Sequence, residues 1–376
     1  MRVKRFACAV LTALMVLGLC SCGWMNGSYS SVTPHKVGYT QTDDDLFTVR
    51  NYSELRSALT ALVDSGAQEA LITLVDYPGE QVLTDLENSV YFVSTVYPIG
   101  AYAVEHISYE YGSGGFQDAI SVDVTYRRSK AEIDQVHTVR GIPGARTAIT
   151  DALRTCQNTL VLQITGYTET DFVQLIDDIA AEHPEIVMEC PEVRAQTYPQ
   201  QGTTRILELQ LSYKTSRESL RYMQQQVSPI FSSAKLYVPR DSNDSVKLSQ
   251  LYNFLMQRFD YSVQSSITPA YSLLCYGVGD SQAFANVYAA MCRQIGVDAV
   301  TVSGTCNGES RFWNIVRCDD VYYHVDLLRS LRNGQFRRYT DAEMDDYVWD
   351  YSAYPPCGEA IENVPAGPKE PDPEKN

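Results

Sequence analysis

The stretch CYGVGDSQAFANVYAAMCRQIGVDAVTVSG, residues 275–304, places a hydroxyl where a chain could carry out nucleophilic chemistry. Apolar residues at Ala283, Phe284, Val287, Tyr288, Met291, Cys292 and Ile295 recur at the helical period and mark one buried face. Asp280 is a suitable N-cap and Gly296 a suitable stop, so Ser281 falls in the first turn. There the unpaired amide N–H groups and the helix dipole favour negative charge on an attacking atom. A serine oxygen also needs a base within reach before it can attack.

The candidate partners lie downstream. Two strand-like runs, RFWNIVRC and VYYHVDLL, flank Asp319 and Asp320 and predict a hairpin. With the turn centred between those aspartates, Asp326 faces Trp313, and Arg311 is its diagonal neighbour on the same face. His324, the only histidine in the C-terminal half, faces Ile315 on that face, one step nearer the turn. Arginine stays protonated at neutral pH and cannot accept the serine proton. An ion pair between Arg311 and Asp326 is therefore expected as a structural contact. Asp280, directly before Ser281, adds negative charge that opposes an alkoxide. His324 is expected to be a structural or surface residue, with a role as substitute base as the alternative.

These elements and their order resemble a bacterial transglutaminase-like domain, a relative of the papain-like cysteine proteases. Members carry a Gly-Val-Cys-x-Gly-Tyr-Ala-like segment opening a helix, then Gly-Ile, a strand ending in Ser-Gly, a His-Ala-Trp-Asn strand and a Trp-Tyr-x-Val-Asp strand. The corresponding segments are GDSQAFA, IGVDAVTVSG, RFWN and YYHVD, and YTDAEMDDYVWDYSAYPPC resembles the end of such domains. The resemblance covers roughly a third of the chain. It implies that Ser281 stands at the position of the nucleophilic cysteine, Arg311 at that of the histidine and Asp326 at that of the acid. Only the acid is retained, so the domain is expected to bind rather than to catalyse. An acyl transferase or hydrolase using Ser281 is the alternative. Asp280, Trp313, Tyr323 and His324 are the residues expected to line a groove for peptide or glycan. Most of the other aromatic residues near the C-terminal end are expected in the core.

The domain sits in a longer arrangement. The start, MRVKRFACAVLTALMVLGLCSCG, joins a basic segment (Arg2, Lys4, Arg5) to an apolar run too short to span a membrane, the pattern of an export signal. It ends in LCSC, which resembles the lipobox of bacterial lipoproteins and makes Cys22 the expected lipid-bearing residue. A membrane-anchored, extracytoplasmic protein with a peptide, protein or cell-wall ligand is the resulting expectation. The formal charge of −16 leaves no basic patch and argues against nucleic acid. Beyond the signal and the lipid-bearing position, seven cysteines remain: Cys156, Cys190, Cys275, Cys292, Cys306, Cys318 and Cys357. Their odd number and lack of CxxC spacing indicate neither a disulfide framework nor a zinc site, and no cofactor is expected. Cys156 and Cys292 are expected in the core, and one bridge among Cys275, Cys306, Cys318 and Cys357 stays open.

Between tether and domain lies an internal duplication. VRNYSELRSALTALVDSGAQEALITLVDY from Val49 parallels VRGIPGARTAITDALRTCQNTLVLQITGY from Val139, and VDVTYRRSKAEI from Val122 parallels LQLSYKTSRESL from Leu209. Each copy reads as helix, strand, helix and two strands, and their scattered histidines (His106, His137, His183) form no shared site. The expected architecture is α+β: two tandem α+β repeat modules followed by a papain-like transglutaminase-like domain. Its boundaries are a signal at 1–21, a tether at 22–44, repeats at 45–136 and 137–234, the domain at 235–358 and a Pro- and charge-rich tail at 359–376.

Overall fold

Helices begin in this chain where a short polar side chain can accept an otherwise unpaired first-turn amide. Asn51 caps α1 (Tyr52–Ser65), Asp171 caps α4 (Phe172–Glu182), Ser216 caps α5 (Arg217–Ser233) and Asn243 caps α6 (Asp244–Met256). Asp280 caps α7 (Ser281–Gln294) and Asp326 caps α8 (Leu327–Arg332). Two further helices, α2 (Val82–Thr95) and α3 (Gly141–Arg154), start without a side-chain cap. The computed structural model describes residues 46–112, 118–239 and 241–358. The signal, the tether with Cys22 and the tail expected at 359–376 lie outside them.

Strands β1 (Leu46–Val49), β2 (Glu69–Leu74), β3 (Val104–Tyr111) and β4 (Ala119–Tyr126) form a sheet in the order β1-β2-β4-β3. Strands β5 (His137–Arg140), β6 (Thr159–Thr165), β7 (Glu192–Tyr198) and β8 (Thr204–Ser212) form a second, in the order β5-β6-β8-β7. In each, the first strand pairs parallel with the second and the other pairings are antiparallel. Alternation in β2 and β6 turns every second side chain into a core closed by helices. The parallel edge strands β1 and β5 are additions to the sequence expectation. Only four residues long, they are held by backbone pairing to β2 and β6 and carry too little alternation to be read.

The units are joined by packing. Tyr102, Ala103 and Ile133 from the first meet Ile206 from the second, beside an Arg128–Glu208 ion pair at 2.7 Å. Helix α5, assigned by the sequence to the second repeat, directs Leu220, Val227 and Phe231 into the core of the following domain.

That domain is built on β11 (Ala299–Cys306), β12 (Glu309–Cys318), β13 (Val321–Val325) and β14 (Tyr347–Val348), ordered β13-β12-β11-β14. A two-residue ribbon of β9 (Asp260–Tyr261) and β10 (Val278–Gly279) precedes α7. Helix α7 buries ten consecutive residues, Ala283–Cys292, and eight of them, Ala283, Phe284 and Val287–Cys292, share a core with Val316 and Val325 of the sheet. The opposite face of the sheet, with Val302, Trp313 and Ile315, is covered by Tyr339, Met344, Tyr347, Trp349 and Cys357 from the C-terminal segment. Gly304 is needed where these layers meet, because a Cβ there would lie 2.2 Å from the Val348 carbonyl oxygen and 2.8 Å from the Trp313 ring. Cys156 and Cys292 are buried as expected, and all seven cysteines among the described residues are free thiols, including the four for which one bridge had stayed open.

Candidate functional site

The hairpin register is the one the sequence predicts. Ile315 pairs with His324 and Cys318 with Val321, and Asp319 and Asp320 both take left-handed backbone (φ 51° and 62°), as a two-residue turn of this kind requires. Arg311 and Trp313 lie on one face of β12. Asn314, on the other, donates from Nδ2 to the Ala285 carbonyl of α7 at 2.8 Å and to Val300 O at 3.3 Å. This amide ties the strand to the helix that carries Ser281.

Asp326 is 1% exposed and accepts five hydrogen bonds. Arg311 approaches with both arms of its guanidinium, Nε to Oδ2 at 2.9 Å and Nη2 to Oδ1 at 2.7 Å. Tyr347 donates its hydroxyl to Oδ2 at 2.7 Å, and the Leu328 and Arg329 amides at the start of α8 each donate to Oδ1 at 2.9 Å. Burial works against the charge on Arg311, but the Asp326 carboxylate outweighs it and holds the guanidinium above its ordinary pKa. Burial, then Asp326, pushes the Tyr347 hydroxyl well above its usual range. Arg311 is thus permanently charged and gives two of its five N–H donors to Asp326.

Ser281 is partly exposed at the start of α7. Its Oγ makes one hydrogen bond among the described residues, accepting the Phe312 backbone N–H at 3.3 Å. Among the described residues, no side chain takes the hydroxyl proton. Asp280 accepts the Ala283 amide on Oδ1 at 2.9 Å, so one N–H that could have met an oxyanion is already engaged by a carboxylate.

His324 does not stand beside Ser281. It is fully buried, and its Nδ1 accepts the Trp313 indole N–H at 2.9 Å. The indole can only donate, so the imidazole proton sits on Nε2 and is donated to Asp341 Oδ1 at 2.8 Å. Burial lowers the His324 pKa and the contact with Asp341 offsets this in part. Cys357 completes a cluster whose possible ligand atoms lie within 4.8 Å of one another, and its amide donates to Asp341 Oδ2 at 2.9 Å. With the proton on Nε2, the imidazole has no lone pair facing that cluster, so it is a hydrogen-bonded strut rather than a cation site.

The groove differs from the one expected. Trp313 (1% exposed) and His324 lie inside the layer covered by the C-terminal segment, and Tyr323 is half-buried with the Arg338 guanidinium 4.9 Å from its ring. Of the four expected groove residues, only Asp280 lies beside Ser281, at the head of α7. A cavity of about 360 Å³ opens instead beside the Arg311–Asp326 pair, lined among others by Tyr261, Val263, Ser310, Arg311, Leu331 and Arg332. The aromatic residues Tyr347 and Trp349 are core, and the exposed Tyr351 ring stacks on Trp349 at 4.1 Å. Asp341 and Tyr347 were missed as partners of the central side chains. Their only sequence signal is Thr340-x-x-Glu343, a capping box that fixes the turn carrying Asp341.

Residues 234–349 match the transglutaminase-like superfamily and form a transglutaminase-like domain. Among solved structures, a TGase is similar at 12% identity, over 55% of this chain and 60% of its own length, with a TM-score of 0.26. A candidate cysteine protease from Cytophaga hutchinsonii is 10% identical over 42% of this chain and 70% of its own, with a TM-score of 0.26. A candidate protease from Parabacteroides distasonis is 8% identical over 44% and 39%, with a TM-score of 0.23. No curated protein sequence matches the chain.

Proposed function

We propose that the transglutaminase-like domain does not turn over substrate, and that it holds an extended peptide, of a protein or of the cell envelope, in the groove beside Arg311. Cys22 would carry the lipid that anchors the chain on the extracytoplasmic face of a bacterial membrane. One observation carries the reading: the residue at the position of the family's base is an arginine engaged through two short bonds by the family's acid. Triad members act as a unit, and losing one typically costs on the order of 10⁴ to 10⁶ in turnover. The groove itself suits binding, with the aromatic Tyr261, the aliphatic Val263 and Leu331 and the cationic Arg332 on its walls.

The test is binding of soluble peptidoglycan peptides and a tiled peptide array to the purified protein. Bound peptides should be lost on Val263→Asp or Arg332→Glu and retained in Ser281→Ala. Binding indifferent to the groove substitutions, or no binding at all, would end the proposal.

A second reading, a serine acyl transferase or hydrolase, draws on the partly exposed Ser281 hydroxyl, whose proton no described side chain accepts. It requires a base from a partner or substrate. Labelling of Ser281 by a fluorophosphonate probe would favour it, and absence of labelling across the pH range would remove it.

A further inference from the structure

Arg311 is 9% exposed and lies on the lining of the cavity of about 360 Å³. A guanidinium carries its five N–H donors in a fixed planar fork. Asp326 takes the edge formed by Nε and Nη2, at 2.9 and 2.7 Å. The Nη1 end makes no hydrogen bond to any described residue and keeps contact with solvent. A buried cation thus holds one arm open, and the open space along Arg311 is that cavity.

The same lining carries a second guanidinium. Arg332 is exposed at the end of α8 and makes no hydrogen bond or ion pair with any described residue. Its neighbours are engaged: Arg329 donates to the Glu343 carbonyl at 3.1 Å, Arg337 pairs with the Glu343 carboxylate, and Arg338 lies over the Tyr323 ring. Against the two cations stands one carboxylate on the lining, that of the exposed Glu309. Asp326 is not on the lining, and its charge is already met by Arg311, Tyr347 and two amides. The lining side chains therefore carry a positive excess in a chain whose formal charge is −16. Such an excess favours an anionic group on the ligand.

We infer that this groove, taken as the peptide site proposed for the domain, selects its peptides by a carboxylate that accepts from Arg311 Nη1 and lies against the Arg332 guanidinium. Carboxylate and guanidinium are both planar, and a hydrogen bond between ions is stronger than one between neutral groups. Tyr261, Val263 and Leu331 share the lining and contact the chain that bears the carboxylate. A chain terminus and an acidic side chain both supply that group, and the test separates them.

The probes are three tetrapeptides with a fluorophore at the N-terminus: tetra-alanine with a free C-terminal carboxylate, tetra-alanine amide, and that amide with glutamate as its third residue. Each is titrated with the purified full chain by fluorescence anisotropy. At least one carboxylate peptide should bind about tenfold tighter than tetra-alanine amide. Which one does so identifies a chain terminus or an acidic side chain as the source. Arg332→Gln should remove most of the preference, and Glu309→Gln should keep or widen it. Arg311→Lys keeps a charge for Asp326 but loses the second arm, and should also weaken the preference. Arg332 is exposed, so Arg332→Gln carries the test should Arg311→Lys fail to fold. Equal affinity of all three peptides overturns the inference and leaves the groove as a peptide site. A preference unchanged in Arg332→Gln overturns it as well, by placing the carboxylate elsewhere. Binding of none of the three overturns it too, and the peptide array then decides whether the groove takes peptides at all.

Discussion

Two residues only one strand apart in the domain are treated very differently by the chain around them. Asp326 is 1% exposed and receives five short hydrogen bonds from a guanidinium, a phenol and two helix amides. Ser281 is partly exposed and receives one, at 3.3 Å, from a backbone amide. In a working hydrolytic centre the acid orients a base and the base activates the nucleophile. Here the acid orients a permanent cation, and the interaction stops before it reaches the hydroxyl. The difference locates the domain's structural commitment at Asp326 and leaves Ser281 carrying little stability.

Substitutions can break that contrast. The largest effect is expected from Asp326→Ala, which strands the Arg311 charge and uncaps α8. A loss of about 3–5 kcal/mol in urea unfolding is predicted, and a double-mutant cycle with Arg311→Met should return a coupling of about 2 kcal/mol. Near-additive single effects would mean that the pair is not the anchor.

His324→Gln should follow, costing roughly 1–3 kcal/mol through the Trp313 and Asp341 contacts. This histidine also sharpens the contrast through pH. Its folded pKa lies below the ordinary value of 6.5, so the unfolded chain binds more protons just below that pH. Stability should therefore be fully present above about pH 6.5 and decline as pH falls through it. His324→Gln should remove that part of the slope, and an unchanged pH profile would contradict the buried neutral assignment.

Asp280→Ala removes one N-cap and should cost about 1 kcal/mol. Ser281→Ala should change stability by no more than about 0.5 kcal/mol. A Ser281→Ala loss approaching that of Asp326→Ala would erase the difference between the two ends.

Much of this geometry was legible before any coordinates. The apolar period of 283–295 fixed α7, Asp280 and Gly296 fixed its ends, and the placement of Asp319 and Asp320 fixed the register that brings Arg311 to Asp326. Burial was the part that could not be read. Alternation assigns Trp313 and His324 to a face but does not say which segment covers that face. The decision belongs to residues 339–357, which return over that face from short irregular turns and a two-residue strand. Asp341 and Tyr347 arrive with that segment, so their partners could not be inferred from periodicity. The edge strands β1 and β5 were hidden for a related reason, being defined by backbone pairing rather than by side-chain pattern.

The central claim is that no base among the described residues serves the hydroxyl at the head of α7. It is tested most directly by measuring amine incorporation, glutamine deamidation and peptide hydrolysis with the purified protein and with Ser281→Ala, side by side across pH 5–9. The account predicts rates for both proteins indistinguishable from buffer. Turnover by the unsubstituted protein that disappears in Ser281→Ala would contradict it.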